Sequence, residues 1–241
     1  VLGDGEDVLP ELIDFIKPIN KRGDLTREEK IKSIAKNIKG IYAPQFYEIT
    51  YHSNGTIKAI NPNDKEIPPV VEKTSVSDLN NAYFPRKAII PYVKTIHDRI
   101  AIEIMRGCTR GCRFCNAGMT KRPKRTRTIE LITDIVQDLY KNTGYDEISL
   151  TSLSTGDYPD LKDLMVKLNN IFNEKCVNIS FPSLRVSEML SDLPTLLNTV
   201  RKSGITIALE AASTRLRWLI NKNITNEYLF CGIREAYKSG W

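Results

Sequence analysis

Several things that would place this chain quickly are missing from it. No stretch of its 241 residues approaches the ~20 consecutive apolar residues of a membrane-spanning helix, so no membrane insertion is expected. The chain does not begin with Met and has no signal-peptide pattern, so nothing points to secretion. Apolar residues make up 41% and charged residues 27%, which excludes wholesale disorder and collagen-like or mucin-like composition. Two histidines are too few to change the formal net charge of +6. A chain of this length does not need disulfides for stability, and it fits one large domain or one and a half.

One further absence is local. Between Glu103 and Glu130 there is no acidic residue, while the same window holds eight basic ones: Arg106, Arg110, Arg113, Lys121, Arg122, Lys124, Arg125 and Arg127. Removing them leaves +6 − 8 = −2 for the rest of the chain. Three of the five cysteines, Cys108, Cys112 and Cys115, lie inside this window. A basic run of this kind is a solvated face, a nucleic-acid patch or a positive pocket around something anionic. An RNA-binding face would want interleaved aromatics, and Phe114 is the only aromatic from residue 104 to 129.

The pattern along the chain is of two kinds. Residues 1–95 read as a small α+β region and linker: a helix from Val8, a second after Thr26, and a hairpin around Ser53-Asn54-Gly55. Asn61 to Val76 is loop-like. From residue 96 strands and helices alternate. Strands are expected at 99–105, 147–153, 176–181 and 205–209, and helices from Thr128, over 160–172, 189–200 and 213–220, and from Thr225. Four strand–helix units predict an α/β fold with a parallel sheet and helices outside, as in a partial TIM-type (βα) barrel. Residues 96–241 are taken as this second domain. The chain stops directly after a helix, where such an array normally continues, and begins as if leaving a strand; both ends are expected to continue into further chain.

The chemistry-bearing motif follows the first strand of the array: Cys108-Thr109-Arg110-Gly111-Cys112-Arg113-Phe114-Cys115, spaced C-x3-C-x2-C. Active sites of βα folds lie at this end of the strands. A structural zinc site and an all-cysteine [4Fe–4S] cluster both want four protein ligands. His97 is the nearest fourth candidate for zinc. Three cysteines on a cluster leave one iron open to a small molecule, and the surrounding arginines and backbone N–H groups suit thiolates and an incoming carboxylate. Cys176 and Cys231 read as core residues. Arg125 and Arg127 are expected either to close over the anionic cargo or to be solvated.

This motif, with an aromatic before the last cysteine, resembles that of the radical S-adenosylmethionine (radical SAM) superfamily. The wider stretch Glu103-Ile104-Met105-Arg106-Gly107-Cys108 through Cys115-Asn116-Ala117-Gly118-Met119 resembles a subfamily in which a cobalamin-binding-like domain precedes the barrel. Gly3-Asp4-Gly5-Glu6 looks like the exit from that domain, which makes residues 1–95 its tail.

The resemblance implies that Cys108, Cys112 and Cys115 ligate three irons of a [4Fe–4S] cluster and that S-adenosylmethionine chelates the fourth. It implies that Phe114 lies near the adenine and that Gly156 and Asp157, in Ser154-Thr155-Gly156-Asp157, contact the methionine amino group. Ser183 and Arg185 would face the carboxylate and ribose. Glu210 begins a turn like the family's Glu-Ala-Gly, with Ala212 where glycine is usual. Read from the residues alone, Gly156-Asp157 is also a turn before a helix, Ser183 a helix-entry group, Arg185 a surface residue and Glu210 a barrel-mouth carboxylate paired with a cation. The implied activity is reductive cleavage of S-adenosylmethionine to a 5′-deoxyadenosyl radical acting on an unknown substrate. The implied partner is a ferredoxin or flavodoxin, and the implied compartment is the cytoplasm. Alternatives are a tRNA methylthiotransferase or cobalamin-dependent methyltransferase with the same core, and a non-catalytic zinc or iron–sulfur module.

Overall fold

The structure is a computed structural model and describes residues 1–180 and 206–240. The chain divides into two compact units, Val1–Ser77 and Asp78–Trp241. Within the second unit Arg127 holds residues 79–82, donating to the carbonyls of Leu79 at 2.5 Å and Ala82 at 3.4 Å.

In the first unit, α1 (Val8–Lys21) and α2 (Arg27–Asn37) precede an antiparallel hairpin of β1 (Tyr47–Tyr51) and β2 (Ile57–Pro62). Helix α2 starts where Thr26 and Glu29 cap each other: the Thr26 Oγ1 accepts the Glu29 N–H at 3.2 Å, and the Glu29 carboxylate accepts the Thr26 N–H at 2.7 Å. Ala35, Ala43, Phe46 and Ile67 form its buried core. The N-terminal Leu2–Asp4 stretch makes backbone bonds to Gly40 and Thr74.

The second unit opens with β3 (Ile100–Glu103), β4 (Met105–Arg106), α3 (Asn116–Thr120), β5 (Arg125–Thr126), α4 (Ile129–Thr143), β6 (Glu147–Thr151), α5 (Leu161–Phe172) and β7 (Asn178–Ser180). Strands β3, β6 and β7 form a parallel sheet in that order. Alternate strand residues point to opposite faces. Ile100, Ile102, Ile148, Leu150 and Ile179 are buried in one cluster with Ile132, Ile135, Val136 and Leu139 of α4 and Leu164, Met165, Leu168 and Phe172 of α5. The opposite parity carries Ala101, Glu103, Ser149, Thr151, Asn178 and Ser180. The sheet thus has an apolar side under its helices and a polar side, which suits the inner wall of a curved βα array.

The fourth unit contributes α6 (Thr214–Leu219), capped by Ser213, and α7 (Asn226–Lys238), capped by Thr225. The strand expected at 205–209 does not form among the described residues. Among the described residues Ile207 occupies a bridge position, and Ile207 and Leu209 pack against Ile224. The helix expected at 189–200 lies outside the described residues.

A candidate cofactor site at the strand ends

The cysteine loop is an excursion pinched at its base. After β3 the chain pairs through β4 with β5, Met105 opposite Thr126 and Arg106 opposite Arg125. Gly107 turns the chain into the loop at φ +87°, and a Cβ there would lie 2.6 Å from the carbonyl oxygens of both Lys121 and Pro123. Only glycine lets the two sides of the neck approach this closely. Arg125 secures the returning side, donating to the Pro123 carbonyl at 3.1 Å and the Lys121 carbonyl at 3.3 Å. Within the loop, Cys115 N–H bonds the Cys112 carbonyl. The Cys115 sulfur accepts the Gly118 N–H at 3.2 Å, and the Cys108 sulfur accepts the Arg110 N–H at 3.5 Å.

All three cysteines are free thiols of intermediate exposure, and all three line one cavity of about 220 Å³. Phe114, Glu210, Arg110, Ser154 and Lys222 share its wall. Asp157 stands immediately behind. It ends a single 3-10 turn (Thr155–Asp157) after β6 and accepts hydrogen bonds from Arg110 Nε and Ser154 Oγ, both at 2.8 Å. That bond to Asp157, aided by its charge, holds the Arg110 guanidinium above its ordinary pKa against the opposing effect of burial. Across the cavity Lys222 Nζ lies 3.0 Å from Glu210 Oε1. The site therefore presents thiols between two carboxylate–cation pairs. A larger hollow of about 620 Å³ lies among residues 90–99 and 144–147, at the N-terminal strand ends. It has no cysteine and sits opposite the end where βα arrays place their chemistry.

The cysteines, Phe114 and Glu210 line one cavity, and Asp157 hydrogen-bonds Arg110 in its wall. Gly156 sits in the middle of the 3-10 turn and is not part of the cavity wall. Ser183 and Arg185 lie outside the described residues. Three expectations change. Arg125 and Arg127 neither close over the loop nor lie in solvent: both are buried, and they hold backbone carbonyls. Cys176 and Cys231 are exposed rather than core; Cys176 sits in a left-handed turn at φ +57°. His97 contacts Arg99 at 3.2 Å, at the end of β3 remote from the cysteines, so it is not placed as a fourth ligand.

The basic window also resolves into separate tasks. Arg106 forks onto Glu103 at 2.9 and 2.7 Å, and Arg113 donates to the Leu219 carbonyl. Of the eight bases only Arg110 lines the cavity. Sequence reasoning missed Lys222, Asn221 and Arg217. Asn221 and Lys222 reach the loop from more than a hundred positions away, and Arg217 braces the turn that carries them through partners within nine positions, so no local pattern marks any of the three.

Residues 102–241 match the radical SAM superfamily. An uncharacterised protein of Methanocaldococcus jannaschii is 30% identical over 197 residues, covering 78% of this chain and 43% of that protein. A ribosomal protein uS12 methylthiotransferase of Thermotoga maritima is 29% identical over 148 residues, 56% of this chain and 34% of that one. The chain thus spans less than half the length of these relatives. Among solved structures, the radical SAM methyltransferase TsrM of Kitasatospora setae, with cobalamin and a [4Fe–4S] cluster bound, aligns with TM-score 0.64 at 16% identity, over 100% of this chain and 44% of that one. The cobalamin-dependent radical SAM enzyme OxsB aligns with TM-score 0.58 at 15% identity, over 98% and 31%. At such identities these two speak to the fold, and they identify the three parallel strands with their outer helices as part of a radical SAM-type α/β fold.

Proposed function

Because the chain belongs to the radical SAM superfamily, we propose that its cysteine cavity holds a [4Fe–4S] cluster and that the enzyme reductively cleaves S-adenosylmethionine, yielding methionine and a 5′-deoxyadenosyl radical that takes hydrogen from a substrate. The observation carrying this reading is the convergence of Cys108, Cys112 and Cys115 on one cavity at the end of the first strand, with Phe114 and Glu210 in the same wall.

The donor set fits the group. Three thiols lining one cavity are one ligand short of a structural zinc site and suit a multi-iron centre whose remaining iron takes a small molecule. When bound, the cluster would supply one-electron reduction of the sulfonium. The chain's own residues do the rest. The Gly107 neck and Arg125 hold the thiols in place, Asp157, held by Arg110 and Ser154 beside the wall, would offer a carboxylate to an ammonium, and Phe114 would offer an apolar face to a purine.

Cobalamin-dependent methyl transfer is the reading we favour within the superfamily, because the likeness to TsrM extends over the entire chain, Val1–Ser77 included. Any cobalamin would be held through chain upstream of this core. Methylthiolation stands beside it, supported by the methylthiotransferase relatives. Either reaction would draw electrons from a low-potential ferredoxin or flavodoxin in a reducing cytoplasm. Anaerobic reconstitution with iron and sulfide tests the shared core: a brown protein that binds S-adenosylmethionine supports it, and a colourless protein holding stoichiometric zinc refutes it.

A further inference from the structure

The cysteine loop is not held by its neck alone. The turn after α6 grips it from the far side. Arg113 N–H donates to the Ile220 carbonyl at 3.0 Å, and its guanidinium donates to the Leu219 carbonyl. Asn221 donates its side-chain amide to the Gly111 carbonyl at 2.9 Å and to the Arg110 carbonyl at 3.3 Å. Its own backbone is left-handed, at φ +55°, a conformation in which asparagine is enriched. The turn is itself braced. Lys222 N–H bonds the Arg217 carbonyl at 2.8 Å, and the Arg217 side chain, 1% exposed, donates to the carbonyls of Ala212 and Ile224, both at 2.7 Å.

The two carbonyls that Asn221 holds are consecutive, and both belong to trans peptides. In a trans peptide the C=O and the following N–H point in opposite directions. Fixing the Arg110 and Gly111 carbonyls towards Asn221 therefore turns the Gly111 and Cys112 N–H groups away from it. Neither N–H has an acceptor among the described residues. Asn221 is not in the cavity wall, whereas Arg110 and Cys112, on either side of Gly111, are. The loop already aims backbone at its thiols: the Cys108 sulfur accepts the Arg110 N–H, and the Cys115 sulfur accepts the Gly118 N–H. The Cys112 sulfur has no such donor among the described residues. Hydrogen bonds to the sulfurs of an iron–sulfur cluster favour its more negative, reduced state and raise its potential. Resting on the radical SAM reading above, we propose that Asn221 is a positioning residue for the cluster: by holding two carbonyls on the outer side of the loop, it presents the Gly111 and Cys112 N–H groups to the cluster's sulfurs and raises its reduction potential.

The test uses the full-length protein, loaded with cluster anaerobically and kept free of S-adenosylmethionine. A redox titration followed by electron paramagnetic resonance reads the midpoint potential, which a merely structural prop would leave alone. Neither Asn221→Gly, which suits the left-handed backbone, nor Asn221→Ala carries a donor or adds a charge. Each should keep the wild-type iron content and show a midpoint more negative by about 59 mV, a tenfold shift in the one-electron equilibrium. A wild-type potential in either variant that carries full iron overturns the proposal and leaves the family reading intact. Loss of iron from both variants makes Asn221 a structural prop and also overturns it. A wild-type protein that takes up no cluster refutes the family reading and this inference with it.

Discussion

Replacing Arg127 with Met should unfold the second unit far more easily, although the residue lies twelve positions from the nearest cysteine and bears a charge that reads as surface. Its side chain is 2% exposed. It donates to the carbonyls of Glu103 at 3.1 Å, Leu79 at 2.5 Å and Ala82 at 3.4 Å, and its guanidinium carbon lies 5.4 Å from the centroid of the Phe84 ring. Methionine keeps much of the stem packing but leaves those carbonyls without their donor. Leaving buried acceptors without their donor costs about 1–3 kcal/mol each, and about 3–5 kcal/mol for the set, a large part of the 5–15 kcal/mol typical of a domain. Both tryptophans, Trp218 and Trp241, belong to the second unit, so their fluorescence follows its unfolding in urea. With a slope of about 2 kcal/mol per molar, the midpoint should fall by about 1.5–2.5 M. The exposed Lys121→Met should stay within about 0.5 kcal/mol of wild type. A shift below about 0.5 M for Arg127→Met would refute the account of Arg127 as a buried strap.

Two other predictions bear on the same region. Burial pushes the Tyr158 phenol up to about 12, while its hydroxyl donates to the Arg127 carbonyl at 2.7 Å. The unfolded chain ionises first, so this contribution to stability is complete below pH ~10 and is lost as pH rises towards ~12. Tyr158→Phe should therefore show a flatter decline in stability across that interval, and a decline equal to wild type would contradict the assignment. Gly107→Ala should lower iron incorporation on reconstitution, because its Cβ would collide with two carbonyl oxygens. Gly55→Ala has a similar φ of +81° but nothing within 4 Å, and it should incorporate iron normally. Equal iron in the two variants would count against the pinched neck.

Much of the fold was legible because it rests on local signals. Thr26, Thr128, Ser213 and Thr225 each accept a backbone N–H where the pattern predicted a helix start. The faces of α4 and α5 follow their apolar spacing. The cysteine motif was legible because its three cysteines are close in sequence. Arginine roles were not, since composition cannot tell a guanidinium on solvent from one holding carbonyls, as Arg125, Arg127 and Arg217 do. Cys176 and Cys231 were misjudged because cysteine is usually buried, whereas one here ends a 3-10 turn and the other lies on an exposed helix face. Of the strand read at 205–209, Ile207 keeps a bridge position and packs with Leu209 against Ile224.

The central claim is that Cys108, Cys112 and Cys115 carry a cluster that cleaves S-adenosylmethionine. The most direct measurement is 5′-deoxyadenosine released by the reconstituted, dithionite-reduced protein, compared with its Cys112→Ala variant. The account predicts about four irons per chain in the wild type, release of 5′-deoxyadenosine that requires reductant, and none from the variant. Release undiminished in Cys112→Ala, or a wild-type protein loaded with cluster that releases none, would contradict it.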